Sequence, residues 1–466
     1  MVQIGQQIGY LPDERPPIWK LLLYAIQQVI VMFPATVAVA IITDFHISTT
    51  IFASGLATIC FILITRGKIP LYYGSSFSYI AAVASIMGSE ALLGASLNER
   101  IAVAQFGIVM SGLVSIAAGL IVNRFGKESI EKVLPASITG PIAMVIGLTL
   151  AGVALSDAAS TVVGTDAEGQ AILAATGANA PLASNLAWIL SLVTLISTIL
   201  FSVYLKGFLG QLPLLLGPII GCITAYIVQL ATGISFFKIV PESVANSGIF
   251  APPIFTFPKP TWMAVAAIMP IAIATIPEST AHVYQLDVYV NDLAKKKGSN
   301  KIYNIADKLG LNLIGDGIGD IVSGFIGGPA GTNYGENISA MAITKVFSAY
   351  VLVAASIIAM IISCFTPLIS AIYSIPTAVI GGLEVYLFGA IAAQGIAIMV
   401  EKKVDLFSAK NIAVIATIMI IGLGGQYAFE GSIPFFGIKV PCVAGAAIFG
   451  ILLNLILSIG EKKKKA

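Results

Sequence analysis

The sequence predicts an all-α polytopic membrane protein with about fourteen transmembrane segments. Of its 466 residues, 57% are hydrophobic and only 10% are charged, whereas soluble domains carry about 25% charged residues. Apolar runs close to the roughly 20 residues that a helical span requires recur along the whole chain. The net charge is +2, which gives no reason to expect a nucleic-acid partner.

The segments are separated by connections that contain Pro, Gly and charged residues. Two connections are long: a polar one over residues 156–185 and a Pro-rich one over residues 236–259. Two segments are interrupted by small residues, the third by Gly74-Ser75-Ser76 and the twelfth by Gly381-Gly382. The predicted segments are 19–42, 47–65, 71–87, 101–122, 134–154, 186–205, 212–232, 261–290, 309–325, a tenth led by 327–337, 346–365, 369–400, 412–423 and 440–459.

The distribution of basic residues predicts the orientation of the chain. If the N-terminus is cytoplasmic and the segments alternate, 21 of the 25 Lys and Arg residues lie inside, leaving Arg100, Lys238, Lys259 and Lys439 outside. Such an excess is typical of cytoplasmic loops. An even number of segments then places both termini in the cytoplasm. We therefore expect a multi-pass protein of the inner (plasma) membrane with both termini cytoplasmic.

The number of segments also predicts an internal repeat. Seven spans in each half make the second half enter the membrane from the opposite side, which is the 7+7 inverted repeat of many secondary transporters. The first repeat covers residues 1–235 and the second covers residues 236–466. The third segment of each repeat carries a break, and paired breaks point to a binding site at the membrane midplane. The alternative is chance, because Gly is common in membrane helices.

The break in the tenth segment is the strongest local signal. The stretch Gly327–Asn337 contains several glycines, a proline and the carboxylate of Glu336 between two apolar segments. Lipid cannot satisfy irregular backbone, so such a stretch at membrane depth must be buried in protein or line a cavity. An ionisable residue there is a candidate functional residue. The alternative is a surface loop in which Glu336 is a first-turn helix charge.

The eighth segment carries a second candidate acid. Glu278 lies about midway along an uncharged run, and His282, four residues later, shares its helix face. Pro277 cannot donate a backbone hydrogen bond and can kink the helix. A buried carboxylate and a histidine can both exchange protons near neutral pH. The alternative is a neutral pair in which each side chain only satisfies the other.

Other polar residues inside the apolar segments have weaker signals. Asp316 and Asp320 are four residues apart in a Gly-rich segment, where a structural role is favoured over an acidic metal-binding pair. Glu384 lies beside Gly381-Gly382, and its role is open. The chain has only two histidines, too few for a His-rich metal site. The four cysteines are expected to be buried thiols rather than a metal site or a disulfide framework: Cys60, Cys222, Cys364 and Cys442.

Taken together, these motifs resemble the nucleobase–ascorbate transporter (nucleobase:cation symporter) family, and within it the bacterial uracil permeases. The resemblance covers nearly the whole chain. It departs from the family at Gln27-Gln28, where Gln-His is usual, at Ser339, where Gly is usual, and in Gly331-Thr332-Asn333. The matching motifs are Gly67-Lys68-Ile69-Pro70, Gly74-Ser75-Ser76-Phe77, Glu278 with His282, and Tyr334-Gly335-Glu336-Asn337 followed by Met341-Ala342-Ile343-Thr344-Lys345.

The resemblance implies a core domain and a gate domain, each interleaved across both repeats. It also implies short strands at the midplane breaks of segments 3 and 10. Glu278 and Glu336 would bind the base, and His282, with Glu278, would serve proton coupling. The other residues of the implied substrate site are Ser76, Phe77, Tyr334 and Gly335.

The leading prediction is therefore a transporter, not an enzyme, that imports uracil by proton symport. The expected partners are uracil or a related nucleobase, a proton and the lipid bilayer, with a homodimer as one allowed assembly and with no cofactor, metal or nucleic acid. The nearest alternative is a xanthine or broader-specificity nucleobase permease of the same fold. An anion exchanger of this architecture, a membrane-embedded enzyme and a passive channel are further alternatives.

Overall fold

The computed structural model describes residues 9–126, 128, 133–165, 170–299, 301–435 and 438–464. This part of the chain is mainly helical. The helices are α1 (Ile18–Ile42), α2 (Ile47–Ile64), α3 (Ile80–Met87), α4 (Leu97–Phe125), α5 (Ala136–Thr149), α6 (Ala151–Ala158), α7 (Ala180–Tyr204), α8 (Pro213–Thr232), α9 (Glu242–Ala245), α10 (Trp262–Ile268), α11 (Ala272–Lys296), α12 (Leu309–Ile326), α13 (Gly335–Thr344), α14 (Ala349–Ile362), α15 (Thr366–Tyr373), α16 (Thr377–Glu401), α17 (Ala409–Phe429) and α18 (Cys442–Lys464).

The helices confirm the predicted polytopic class. Within the described ranges, eleven helices are long and apolar enough to cross a membrane, and two shorter apolar ones cover Phe77–Met87 and Ala349–Ile362. With the ten-residue α13, they account for all fourteen predicted segments. The predicted interruption of the twelfth segment at Gly381-Gly382 is wrong, because α16 is continuous there and the break lies at residues 374–376, ending at Pro376. Seven segments precede residue 236 and seven follow it, which is the number per half that the repeat prediction assumed. The inverted relation of the two halves stays a prediction.

Three pairs of short strands accompany the helices in the described part of the chain. β1 (Tyr73–Ser75) pairs with β4 (Gly331–Asn333), and these are the strands expected at the breaks of segments 3 and 10. Two local hairpins were not predicted. β2 (Val162–Thr165) pairs with β3 (Ala171–Leu173) inside the polar connection over residues 156–185, and β5 (Ser432–Phe435) pairs with β6 (Ile438–Pro441) between α17 and α18.

The chain folds as two compact units. Unit 1 comprises the described residues of Met1–Ile146, Pro253–Ile362 and Gln394–Ala466, and unit 2 comprises Gly147–Pro252 and Ser363–Ala393. Each unit therefore takes segments from both sequence halves. All the predicted substrate and coupling residues lie in unit 1.

Closely spaced glycines in unit 1 bring α4 and α12 into backbone contact. A Cβ atom on Gly112 would lie 2.4 Å from the carbonyl oxygen of Gly317, and one on Gly119 would lie 2.5 Å from that of Gly310. In both helices the two glycines are seven residues apart, which is two turns on one face. Small residues of this kind allow membrane helices to pack closely. This packing fixes α12, which carries Asp316 and Asp320, inside unit 1.

The residues before α1 form an N-terminal strap, Tyr10–Glu14, across unit 1. The backbone N–H of Tyr10 donates to the carbonyl of Lys345, 2.9 Å away, and that of Phe347 donates to the carbonyl of Tyr10, 2.8 Å away. The Glu14 carboxylate forms an ion pair with Lys297, which follows α11 directly. The strap therefore links the end of α11 to the turn between α13 and α14.

Candidate functional site

Two short strands from distant parts of the chain meet inside unit 1. β1 precedes α3 and β4 precedes α13, and they run antiparallel with Tyr73 opposite Asn333 and Ser75 opposite Gly331. The pairing extends beyond the strands through the N–H groups of Ser76 and Tyr334, which donate to the carbonyls of residues 330 and 72 over 2.9 Å each. Both broken segments therefore begin in a two-stranded ribbon formed by β1 and β4.

Side chains of helix α2 supply hydrogen-bond partners for the edge of β1 that does not face β4. The backbone N–H of Tyr73 donates to Oγ1 of Thr58 over 3.0 Å, and the hydroxyls of Thr58 and Ser54 donate to the Tyr73 carbonyl over 3.0 and 2.9 Å. All three residues are buried. Since extended backbone in a membrane requires internal partners, these hydroxyls explain how a three-residue strand can persist there.

Each strand leads directly into the start of a helix. After β1, Ser76 caps a 3₁₀ turn over Phe77–Tyr79, and its hydroxyl accepts from the N–H of Ser78 over 3.3 Å. After β4, Tyr334 stands at the N-cap of α13 without a side-chain cap bond. The first N–H groups of a helix have no partner within it and carry partial positive charge. They can therefore donate hydrogen bonds to a carbonyl oxygen or an anion of a ligand.

The two acids predicted from the sequence come together here. Glu278 lies seven positions into α11, and Glu336 is the second residue of α13. Both side chains are half-buried, and Glu336 lies close enough to act electrostatically on Glu278. Two carboxylates from different segments thus share one region beside the start of α13.

His282 occupies the space between α11 and the start of α13. A Cβ atom on Gly335 would lie only 2.9 Å from its Nε2 atom, so only glycine leaves room for the ring. The backbone of Asn333 also interacts with the imidazole. Its Nδ1 atom is buried and has no hydrogen-bond partner within the described part of the chain. His282 therefore contacts β4 and α13 and shares α11 with Glu278.

The eighth segment differs from the continuous helix predicted over residues 261–290. A 3₁₀ turn over Met269–Ile271 separates α10 from α11. Pro270 lies in this turn and removes the N–H that would continue the α-helical ladder. Pro277 lies inside α11, where it likewise leaves a carbonyl of the preceding turn without its usual donor.

The two acids of α12 contact β1 and β4, and Asp316 also interacts with Ser279 and lies close enough to act electrostatically on Glu278. One oxygen of Asp320, Oδ1, accepts from the Tyr73 hydroxyl and from the N–H of Gly331, the latter over 2.8 Å. Asp316 accepts from the side-chain amides of Asn312 and Asn333 over 3.1 and 3.3 Å. Both acids are buried, with 2% and 5% exposure respectively. Their contacts give each of them a positioning role at β1 and β4.

Sequence reasoning did not identify the partners that α1 supplies. The Asn337 amide donates to Oε1 of Gln28 over 2.7 Å and to its carbonyl over 3.0 Å. The Tyr334 hydroxyl lies 3.0 Å from that of Thr36 and also donates to the Ser75 carbonyl over 3.0 Å. Polar residues in an apolar helix were the available signal. Only the fold shows what they contact.

Glu278 lines a cavity of about 870 Å³ in unit 1. Its walls are the face of α11 from Pro277 to Val288, the start of α5 and the end of α16. Charged side chains also line it, among them Glu401 and Lys402. Small-molecule pockets typically have volumes of about 300–1,000 Å³. The cavity therefore has room for a small planar molecule beside Glu278.

Among the residues that the structure describes, no group of three or more His, Cys, Asp or Glu side chains could hold a metal ion.

Comparison with known proteins gives consistent results at the levels of family, sequence and fold. A family model described as "Permease family" (Xan_ur_permease) matches residues 19–431. The uracil permease of Bacillus caldolyticus is 33% identical over 448 residues, covering 96% of this chain and 94% of the relative. The uracil permease of Escherichia coli strain K12 is 33% identical over 450 residues, covering 96% and 93%.

A solved structure shows the same fold at low sequence identity. The murine anion transporter Slc26a9 in its inward-facing state superposes with a TM-score of 0.61 and 13% identity, covering 96% of this chain and 69% of that one. At this identity the likeness concerns the fold alone. It agrees with the helical polytopic fold described above.

Proposed function

The chain belongs to the nucleobase–ascorbate transporter family, and from this membership we propose that it imports uracil by proton symport, with the base bound between Glu278 and Glu336. The observation that carries the proposal is the meeting of these two acids beside the helix starts that follow β1 and β4. The protein is a multi-pass membrane transporter. We place it in the inner (plasma) membrane with both termini cytoplasmic, and we take residues 1–235 and 236–466 as inverted repeats.

The chemistry of this region suits uracil. The base presents two N–H donors and two carbonyl acceptors in one plane, and carboxylates accept hydrogen bonds from N–H groups. The N–H groups at the start of α13, near Gly335, and of the turn that begins at Phe77 can donate to the carbonyls. Ser76 and Tyr334 precede these two helix starts. The site therefore offers both kinds of partner that uracil requires.

Proton coupling is assigned to His282 together with Glu278. Both lie on α11 one turn apart, and the imidazole also contacts Gly335 at the start of the helix that carries Glu336. Histidine changes its protonation state near neutral pH. A change at His282 can therefore act on both acids that hold the base.

The cavity beside Glu278 supports a route for the base between the site and one aqueous side. It is large enough for a planar ring and is partly lined by charged residues. In alternating access, such a route is open to one side at a time.

Anion exchange is the second candidate because the fold resembles that of an anion transporter. The two acids oppose it, since a carboxylate disfavours a nearby anion. A xanthine or broader-specificity nucleobase permease is the remaining alternative, because the same hydrogen-bonding groups can contact other bases.

Uptake of labelled uracil into proteoliposomes tests the proposal. We expect Glu278→Gln to abolish uptake, because the amide presents donors where the site requires an acceptor. Glu401→Gln is the matched control, since Glu401 lines the same cavity, and it should keep near wild-type uptake. Uptake by correctly inserted Glu278→Gln at the wild-type rate would contradict the assignment.

Competition experiments test the substrate. We expect unlabelled uracil to compete with labelled uracil more strongly than xanthine does, and sulfate not to compete. We also expect Glu336→Gln to weaken uracil binding far more than xanthine binding, because the site then loses an acceptor for a pyrimidine N–H. Competition by sulfate would favour anion exchange instead.

A protonophore and the variant His282→Ala test the coupling. We expect a protonophore to abolish accumulation by the wild-type protein. In His282→Ala, uracil binding measured by calorimetry should remain largely intact, while uptake loses its pH dependence and its ability to concentrate uracil. Proton-driven accumulation by His282→Ala would move the coupling role to Glu278 or Glu336.

A further inference from the structure

Glu384 is a buried carboxylate that the proposed substrate site does not use. It lies on α16 in unit 2, whereas Glu278 and Glu336 lie in unit 1. Its exposure is 0%, and neither of its carboxylate oxygens has a hydrogen-bond partner among the residues described. An ionisable group inside a membrane segment is rare and is by default a candidate for function. Glu384 therefore needs an explanation of its own.

The helix face around Glu384 is apolar and closely packed. One turn away on either side, Ile380 and Phe388 are buried, with 7% and 2% exposure. Gly381 brings α16 against the end of α6, because a Cβ atom there would lie only 2.0 Å from the backbone nitrogen of Ala158. This packing holds the carboxyl group in a low-dielectric environment.

Two charged side chains of unit 2 act on Glu384 from the elements packed around it. Asp157 lies near the end of α6, and Lys238 lies in the segment that follows α8. Both are half-buried. They oppose each other, because a negative neighbour disfavours ionisation of a carboxyl group and a positive neighbour favours it.

An unpaired ionised carboxylate in a low-dielectric interior is so costly that the group takes up a proton instead. We infer that Glu384 is a proton-binding site, neutral in this conformation, that exchanges its proton with water by way of Asp157. The proton adds to one carboxylate oxygen and leaves to the Asp157 carboxylate or to water, so only an O–H bond is made and broken. The site is separate from Glu278, His282 and Glu336.

Infrared spectroscopy of the purified protein tests the protonation state directly. We expect the carbonyl stretch of a protonated carboxyl group in the wild-type spectrum to lose intensity in Glu384→Gln. Glu242→Gln is the matched control, because Glu242 is an exposed carboxylate of the same unit, and it should leave this band unchanged. An identical band in wild type and Glu384→Gln would overturn the inference.

The pH dependence of stability gives a second test. A proton held only in the folded state stabilises it at low pH, and this contribution is lost as the pH rises. One such proton changes the folding equilibrium constant by about tenfold per pH unit over that range. We therefore expect the thermal unfolding midpoint of wild type to fall on alkalinisation more than that of Glu384→Gln. Equal slopes in the two proteins would count against the site.

The neighbours keep the inference testable if Glu384→Gln does not fold. Lys238→Met removes the positive neighbour, so Glu384 should hold its proton to higher pH. Asp157→Asn removes the negative neighbour, so the proton should be lost at lower pH. We expect the alkaline fall in stability to move in opposite directions in the two variants. A shift in the same direction, or none, would overturn the inference.

A transport measurement asks whether this proton moves during uptake, and it rests on the proposed function. We expect Glu384→Gln to retain uracil uptake but to change its dependence on alkaline pH. If the wild-type protein does not transport uracil selectively, the proposed function is refuted, but the spectroscopic and stability tests of Glu384 still stand. If Glu384→Gln loses the infrared band but its uptake has the same pH profile as wild type, Glu384 holds a proton that does not exchange during transport.

Discussion

Asp320 offers the sharpest test of how the ribbon is held. Its side chain is 2% exposed, and a single oxygen, Oδ1, accepts from both the Tyr73 hydroxyl and the Gly331 N–H. Tyr73 belongs to β1 and Gly331 to β4, so this atom joins both strands to α12. The perturbations are Asp320→Ala, which removes the acceptor, and Asp320→Asn, whose amide oxygen can take the place of Oδ1.

The number of donors sets the expected size of the effect. Asp320→Ala leaves two buried donors without a partner, and each such loss costs about 1–3 kcal/mol. If even the lower total of about 2 kcal/mol appears in substrate binding, uracil affinity falls roughly 30-fold. Asp320→Asn keeps both hydrogen bonds and loses only their charge assistance, about half of their strength. We expect its affinity to stay within about tenfold of wild type.

Calorimetry of uracil binding to detergent-solubilised protein measures both variants, after gel filtration has confirmed a monodisperse preparation. Tyr73→Phe is a useful control, because it removes one of the two donors and should cost less than Asp320→Ala. If Asp320→Asn binds as poorly as Asp320→Ala, the acceptor explanation is wrong, and the charge or the proton of Asp320 is what the site requires.

Two further predictions follow from contacts near the site and at the strap. Gly335→Ala places a Cβ atom 2.9 Å from Nε2 of His282, and an overpacking cost of at least about 1 kcal/mol should raise the KM for uptake about fivefold. Gly389→Ala is the control, because nothing lies within 4 Å of a Cβ atom there, and it should leave the KM unchanged. Equal effects of the two substitutions would refute the steric argument. Glu14→Lys and Lys297→Glu should each lower the thermal unfolding midpoint, since this partly buried ion pair contributes about 1 kcal/mol to stability. The double variant restores a pair of opposite charges and should recover part of the loss. No recovery would mean that the ion pair does not stabilise the strap.

The sequence was informative wherever the signal was local. Glu278 and Glu336 are charges inside apolar segments, so their position alone marks them. The breaks before α3 and α13 are runs of small residues, and both contain strands in the structure. The spacing of Glu278 and His282 by one turn likewise required no knowledge of the tertiary structure.

Partners that are distant in sequence could not be predicted in the same way. Asn337 and Gln28 are 309 residues apart, and no pattern in a single sequence pairs them. Tyr73 reads as an ordinary aromatic residue in an apolar segment, although its hydroxyl binds Asp320. Hairpin β5–β6 was not predicted, because Pro434 lies in β5 and Pro441 in β6 and a proline within a run counts against a strand.

The pairing of β1 with β4 also has a consequence for how the protein is made. Tyr73 and Asn333 are 260 positions apart in the register, so a ribosome working at about 5–20 residues per second reaches the second strand roughly 13–52 s after the first. During that interval α2 can already hold one edge of β1, because Thr58 precedes Tyr73 by only 15 residues. The other edge has no strand to pair with. A nascent chain released before residue 331 can therefore insert its first nine segments and still lack half of the proposed binding site.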